Sequence, residues 1–179
     1  LGGMRPPVIE GLAGLYDERG RADLATEMVR RLLRRQPNRT DLWLWLGEMH
    51  EAAGEDAAAR EAFEQVLLRA GSDRQRQAAD LRLGILSLET DRAAARAHFE
   101  DAAQGPDPGR TQDAARLLIA LRVEEGSAVA AAKLGEALLR QDKDSAPRRL
   151  DRAREQFARA VEADPGYAEG RAYLGHVLS

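Results

Sequence analysis

The chain has 179 residues, of which 44% are hydrophobic and 32% charged, and its 27 basic and 30 acidic side chains give a net charge of −3. The absence of cysteine excludes disulfides, thiolate metal sites and cysteine nucleophiles, and no run approaches the roughly 20 uncharged apolar residues of a membrane span. A slightly acidic chain has no general attraction to nucleic acid or to an anionic membrane surface, so the composition indicates a soluble folded protein.

Apolar residues recur at helical spacing in two stretches near the start of the chain. They are Ile9, Leu12, Ala13 and Tyr16 in the first stretch and Ala25, Met28, Val29 and Leu32 in the second. Gly20 lies between the stretches, where a residue free to adopt positive φ allows the chain to turn back, and Pro37 ends the second because proline cannot continue a helix. This pattern predicts a pair of helices, and we expect Thr40 to cap the helix that follows.

A shift of 34 residues superposes this pair on the next segment, which indicates an internal repeat. Large residues fall on large ones and small on small. The matched positions of the second segment are Trp43, Leu46, Gly47, His50, Gly54, Ala59, Phe63, Val66 and Gly71.

These positions resemble the tetratricopeptide repeat, a helix-turn-helix unit of 34 residues, in the form typical of bacterial proteins. Trp43, Leu46, Gly47, Ala59 and Phe63 occupy its signature positions. A second match lies at the end of the chain, through Ala153, Phe157, Ala160, Asp164-Pro165, Tyr173 and Leu174-Gly175. The resemblance implies an all-α fold, an α-solenoid of antiparallel helix pairs wound into a right-handed superhelix.

The repeats are expected at about 6–39, 40–73, 77–110, 111–144 and 148–179, with an irregular middle. Breaks near residues 20, 38, 54, 72, 90, 107, 126, 145 and 165 give about ten helices. Helix pairing after residue 111 stays open, because Leu134-Gly135 is also typical of a first helix that pairs with 148–163 and leaves 111–125 as an additional helix. We expect a single repeat domain that is a piece of a longer protein.

The resemblance implies that the first helices of successive repeats line a concave groove. Trp43 takes the core position of Ile9, and a residue two positions on points about 200° away, so Trp45 is expected outside the core as an anchor for a partner. The alternative is that Trp45 packs between adjacent repeats. The predicted partner-binding residues are Leu44, Trp45, Glu48, Leu81, Arg82, Ile85, Arg116 and Ile119.

Along these first helices the charge changes from acidic to apolar to basic, which suggests a groove for a peptide of opposite charge order. The alternative is that the charges on these solvated helix faces vary at random and do not reflect a binding partner. In the last helix an apolar stripe predicts a surface for self-association or for docking to the parent chain. The residues of this stripe are Tyr173, Leu174, Val177 and Leu178.

No pattern in the sequence indicates an enzyme. His50, His98 and His176 are isolated, so we expect no metal site, and no glycine-rich loop suits a phosphate cofactor. The sequence therefore predicts a non-catalytic scaffold for a protein or peptide partner, without cofactor, nucleic acid or membrane insertion. The alternative is an assembly module that forms homo-oligomers through the last helix. Cytoplasm and periplasm fit the composition equally well.

Overall fold

A computed structural model describes residues 6–69, 71–122, 126–141 and 148–178, with residue 178 described by its backbone alone. Ten helices lie in these residues, and the architecture is all-α, as predicted. They are α1 (Pro6–Glu18), α2 (Ala22–Arg35), α3 (Thr40–Ala52), α4 (Asp56–Leu68), α5 (Asp73–Ser87), α6 (Arg92–Ala102), α7 (Pro108–Ala120), α8 (Ala128–Leu139), α9 (Arg149–Ala163) and α10 (Ala168–Leu178). The expected breaks fall between helices, except the one near residue 145, which lies outside the described residues.

The helix ends follow from local sequence. Gly20 and Gly54 have φ of 69° and 77°, a left-handed conformation that ends α1 and α3 and that residues with a β-carbon rarely adopt. Asp107 caps α7 by accepting hydrogen bonds from the backbone amides of Gly109 and Arg110. The expectation for Thr40 is wrong, because its hydroxyl donates to Gln75 Oε1 at 3.0 Å instead of capping α3.

The chain divides into two compact units, Leu1–Leu83 and Gly84–Ser179. In the first unit, α1 packs on α2 and α3 on α4. A β-carbon added at Gly47 of α3 would lie 2.5 Å from Cε1 of the buried Phe63 of α4, so the ring rests directly on the helix backbone. One apolar cluster in the core of this unit comprises Ile9, Ala13, Ala25, Met28, Val29, Leu32, Leu33, Leu42, Leu46, Met49 and Ala62.

In the second unit the same contact between glycine and phenylalanine occurs twice. Phe99 of α6 covers Gly84, and a β-carbon added at Gly135 of α8 would lie 2.7 Å from Cε1 of Phe157 in α9. Helix α8 is therefore the first helix of a pair that α9 completes, with α7 as an additional helix before it. Of the two pairings that the sequence allowed, this packing favours the second, in which 111–144 is not a helix pair by itself.

Candidate partner-binding surfaces

The two tryptophans of α3 are both half-buried against the core of the first unit. The Trp43 indole N–H donates to the carbonyl of Pro37 at 2.8 Å, and the Arg69 guanidinium lies 5.1 Å from the centre of its ring. The Trp45 N–H donates to Asp17 Oδ2 of α1 at 3.0 Å. Trp45 is thus held by the preceding repeat, as in the alternative interpretation, and its position leaves part of the ring exposed.

Two other residues of the predicted groove lie beside Trp45. Leu44 is half-buried and Glu48 is exposed, one turn further along α3. With Asp17 they give this surface of the first unit an apolar centre and two carboxylates. A partner for such a surface would carry basic groups around an apolar side chain.

Leu81, Arg82 and Ile85 do not lie on an open wall, and the expectation for them is corrected. All residues from 77 to 87 are buried, with Leu81 3%, Arg82 5% and Ile85 2% exposed. Arg82 Nε lies 3.6 Å from Glu51 Oε2, and both side chains are buried. Because Glu51 compensates the charge of Arg82, the guanidinium has no need of solvent, and reversal of this charge would test folding rather than binding.

Arg116 and Ile119 lie together at a cleft between α7 and α8, which we call the α7–α8 cleft. Ile119 is 62% exposed and lines, together with the small residues Ala120 and Ala137, a cavity of about 200 Å³. The apolar centre of the cleft is therefore open to a partner.

The rim of the α7–α8 cleft is basic. Arg116, Lys133 and Arg140 all line it. Glu136 brings an acidic group to the same lining, where it accepts from Arg140 at 2.6 Å and lies 3.5 Å from Lys133. Sequence reasoning missed Lys133, Glu136 and Arg140, although Leu134-Gly135 was the available signal, since it marks α8 as a first helix.

The predicted self-association stripe on α10 is partly covered. The Tyr173 ring stacks on Phe157 of α9, with centroids 5.0 Å apart and planes 9° from parallel. Leu174 and Val177 are half-buried, and the side chain of Leu178 lies outside the described residues. Gly175, which occupies the position of Gly47 in its repeat, has no atom within 4 Å of an added β-carbon. Among the described residues, the backbone of α10 at Gly175 is therefore uncovered.

A charge cluster joins the first two repeats. Arg39, between α2 and α3, donates to Asp41 at 2.6 Å and to Glu10 of α1 at 3.0 Å. The guanidinium lowers the pKa of Asp41 below its usual range, and the two carboxylates raise the pKa of Arg39.

His50 has a structural role. It is buried, with Nε2 3.3 Å from an Arg30 nitrogen and Nδ1 bonded to Glu55. Within the part of the chain that the structure describes, no three His, Asp or Glu side chains are grouped to hold a metal ion. In the same residues, none of the helices combines the length and the apolarity that a membrane crossing requires.

Comparisons with known proteins agree with this architecture. The family model for the tetratricopeptide repeat matches residues 11–75. The TPR repeat-containing protein PA0015 of Pseudomonas aeruginosa is 34% identical over 83 residues, which are 46% of this chain and 78% of that protein.

Solved structures extend the likeness along the chain. The crystal structure of MamA protein has a TM-score of 0.51 and 20% identity, covering 96% of this chain and 80% of that one. A thermophilic TPR protein of Thermus thermophilus, TTC0263, has a TM-score of 0.48 and 20% identity, with coverage of 97% and 99%. The first likeness shows the same fold over nearly the whole chain. The match to the Pseudomonas protein, 78% of which is covered at 34% identity, establishes that the chain belongs to the tetratricopeptide repeat family.

Proposed function

We propose that the chain is a non-catalytic scaffold that binds a peptide or partner protein on the exposed faces of its first helices and of the additional helix α7. Tetratricopeptide repeats are in general scaffolds for protein–protein interaction and typically carry no catalytic site. Of the predicted binding residues, Leu44, Trp45, Glu48, Arg116 and Ile119 retain exposed surface and remain in the proposal.

The observation that carries the proposal is the α7–α8 cleft. Ile119 is exposed in a chain whose other isoleucines, Ile9 and Ile85, are buried. Covering one such side chain contributes about 1.5–3 kcal/mol, and three cations around it favour a partner that brings carboxylates. The cleft therefore suits an acidic peptide with one large apolar anchor.

The surface around Trp45 has the opposite charge. Asp17 and Glu48 flank the partly exposed indole, so this surface suits a basic segment. The change from acidic to basic along the chain stays a prediction, which these two separate surfaces support. Leu81 and Ile85 are buried and do not supply the apolar middle that was expected.

Selection from a random peptide library displayed on phage tests the proposal. We expect wild-type protein to enrich peptides that have an apolar residue flanked by Asp or Glu, and Ile119→Asp to lose them. Leu150→Asp is the matched control, because Leu150 is 50% exposed on α9 and away from the cleft. Enrichment without acidic bias, or equal enrichment by Ile119→Asp, would contradict the proposed site.

A second candidate is self-association through α10, supported by the open site at Gly175 next to the half-buried Leu174 and Val177. Sedimentation measured over a wide concentration range would show an oligomer that Val177→Asp dissociates. A monomer at every concentration would contradict this candidate.

A further inference from the structure

A second cleft lies in the first unit, between α2 and α4, with α3 as its floor; we call it the α2–α4 cleft. Its volume of about 390 Å³ is at the lower end of the range for ligand sites in proteins. Ala58 and Ala62 line it from α4 and Leu33 lines it from α2, and the small alanine side chains occupy little of the space. Leu46 and Trp43 line the floor. The interior is therefore apolar and wide enough for one large side chain.

The edges of the cleft carry charge. Arg30 and Arg34, one turn apart on α2, form one edge, and Glu61 lies on the other. The Arg34 side chain is 63% exposed, and its guanidinium lies 3.6 Å from Glu27, beyond hydrogen-bond distance. Guanidinium groups bind carboxylates through paired hydrogen bonds, so the α2 edge favours an acidic ligand.

Arg30, on the α2 edge, contacts a buried histidine of α3. His50 is buried below it, with Nδ1 bonded to Glu55 and Nε2 3.3 Å from an Arg30 nitrogen. Because Nδ1 faces a carboxylate, its proton is placed there, and Nε2 accepts from Arg30. This contact limits the rotamers of Arg30 and holds its guanidinium over the cleft, which lowers the entropy lost on binding.

We propose that the α2–α4 cleft binds an extended peptide segment in which a large apolar side chain is followed by a carboxylate. The apolar side chain would contact Leu33, Leu46 and Ala62, and the carboxylate would pair with Arg34 and Arg30. The cleft lies between second helices, with α3 contributing Trp43, Leu46 and His50. None of its lining residues belongs to the surfaces proposed above, so the two proposals are tested independently.

The two tryptophans supply a built-in reporter, because they are the only ones in the chain and only Trp43 lines the cleft. The probe is the blocked tripeptide acetyl-Asp-Leu-Asp-amide, titrated into the 15N-labelled chain while the two indole N–H signals are followed by NMR. Trp45→Phe assigns the signals. We expect a saturable shift of the Trp43 signal, with a Kd of the order of 1 mM, and a constant Trp45 signal.

Three variants define the site. Arg34→Glu is expected to weaken binding about tenfold, whereas Arg74→Glu, an exposed charge reversal on α5, should leave Kd unchanged. Ala58→Leu, at a half-buried position, should fill the cleft and abolish the shift while the chain stays folded by circular dichroism. Arg34→Glu lies on the surface and keeps the test decisive if Ala58→Leu misfolds.

Several results would overturn this assignment. They are a Trp43 signal that does not move at millimolar peptide, equal binding of acetyl-Lys-Leu-Lys-amide, and an equal effect of sodium acetate, which would indicate a simple anion site. A loss of binding in Arg74→Glu as large as that in Arg34→Glu would indicate non-specific attraction by charge.

Discussion

The first and second helix pairs solve the same packing problem with different residues. Ala13 of α1 and Val29 of α2 are fully buried at the positions that Gly47 and Phe63 occupy in α3 and α4. In the first pair these two positions hold an alanine and a small aliphatic side chain. In the second pair the β-carbon is absent and an aromatic ring takes its space.

The difference shows that the contact conserves combined volume rather than residue type, as close-packed interiors require. Phe99 on Gly84 and Phe157 on Gly135 repeat the second arrangement in the other unit. A ring buries more apolar area than valine, so the second pair should depend more strongly on this single contact.

The largest effect is expected for Phe63→Ala, which should lower the free energy of unfolding by about 3–5 kcal/mol, because it leaves a cavity over Gly47 that a helix backbone cannot fill. Val29→Ala removes two carbons and should cost about 2 kcal/mol. Urea denaturation followed by circular dichroism measures both. Equal losses of unfolding free energy in the two variants would mean that the two helix pairs depend equally on this position, which would contradict the comparison.

A smaller effect is expected from replacing two helical glycines by alanine. The comparison distinguishes the gain in helix propensity from the steric cost of the added β-carbon. Gly11→Ala on α1 should stabilise by about 1 kcal/mol, since nothing lies within 4 Å of the new β-carbon. Gly47→Ala has the same gain in propensity but pushes against the Phe63 ring, so it should be less stable than Gly11→Ala by about 1–3 kcal/mol. Equal thermal midpoints of the two variants would show that the ring yields freely.

This contact is also the part of the fold that the sequence predicts best. Gly47 and Phe63 are signature positions of the repeat, and a fixed spacing of apolar residues is enough to place them in the core. The pairing of helices after residue 111 could not be predicted from the sequence. The connection between Leu134-Gly135 and 148–163 is longer than in a regular repeat.

The candidate site was predicted less completely, since exposure depends on contacts between distant residues. Arg82 has the sequence signature of a solvated position, but in the fold it is buried and forms an ion pair with Glu51, 31 positions earlier in the sequence. Lys133 and Arg140 line the same cleft as Arg116 because α8, a first helix, packs beside α7. Leu134-Gly135 indicates that α8 is a first helix, but neither this signal nor the composition shows which charged side chains lie close together in space.

The double variant Gly47→Ala/Phe63→Val sharpens the comparison by converting the second pair into the first. Each single change disturbs the packing, but together they reproduce the combination of Ala13 and Val29. We therefore expect the double variant to be more stable than the sum of its single variants by about 1 kcal/mol. If the changes in the free energy of unfolding are strictly additive in a double-mutant cycle, the two positions do not compensate each other. Surrounding residues would then determine how the space between the helices is filled.

The smallest effect concerns the charge cluster that joins the two pairs. Arg39→Ala removes the contacts to Glu10 and Asp41 and should cost at most about 1 kcal/mol at neutral pH, since all three side chains are at least one-third exposed and screened by solvent. Arg19→Ala, an exposed arginine in the turn after α1, serves as the control.

The pH dependence gives the sign of the contribution of this cluster. Arg39 lowers the pKa of Asp41, so its stabilisation is present above the ordinary aspartate pKa of about 3.9 and is lost as the pH falls through the lowered value in the folded chain. The difference in Tm between wild type and Arg39→Ala should therefore shrink on acidification and also in high salt. If the difference in Tm between wild type and Arg39→Ala stays constant down to pH 2, the effect comes from lost packing of the arginine side chain and not from its charge.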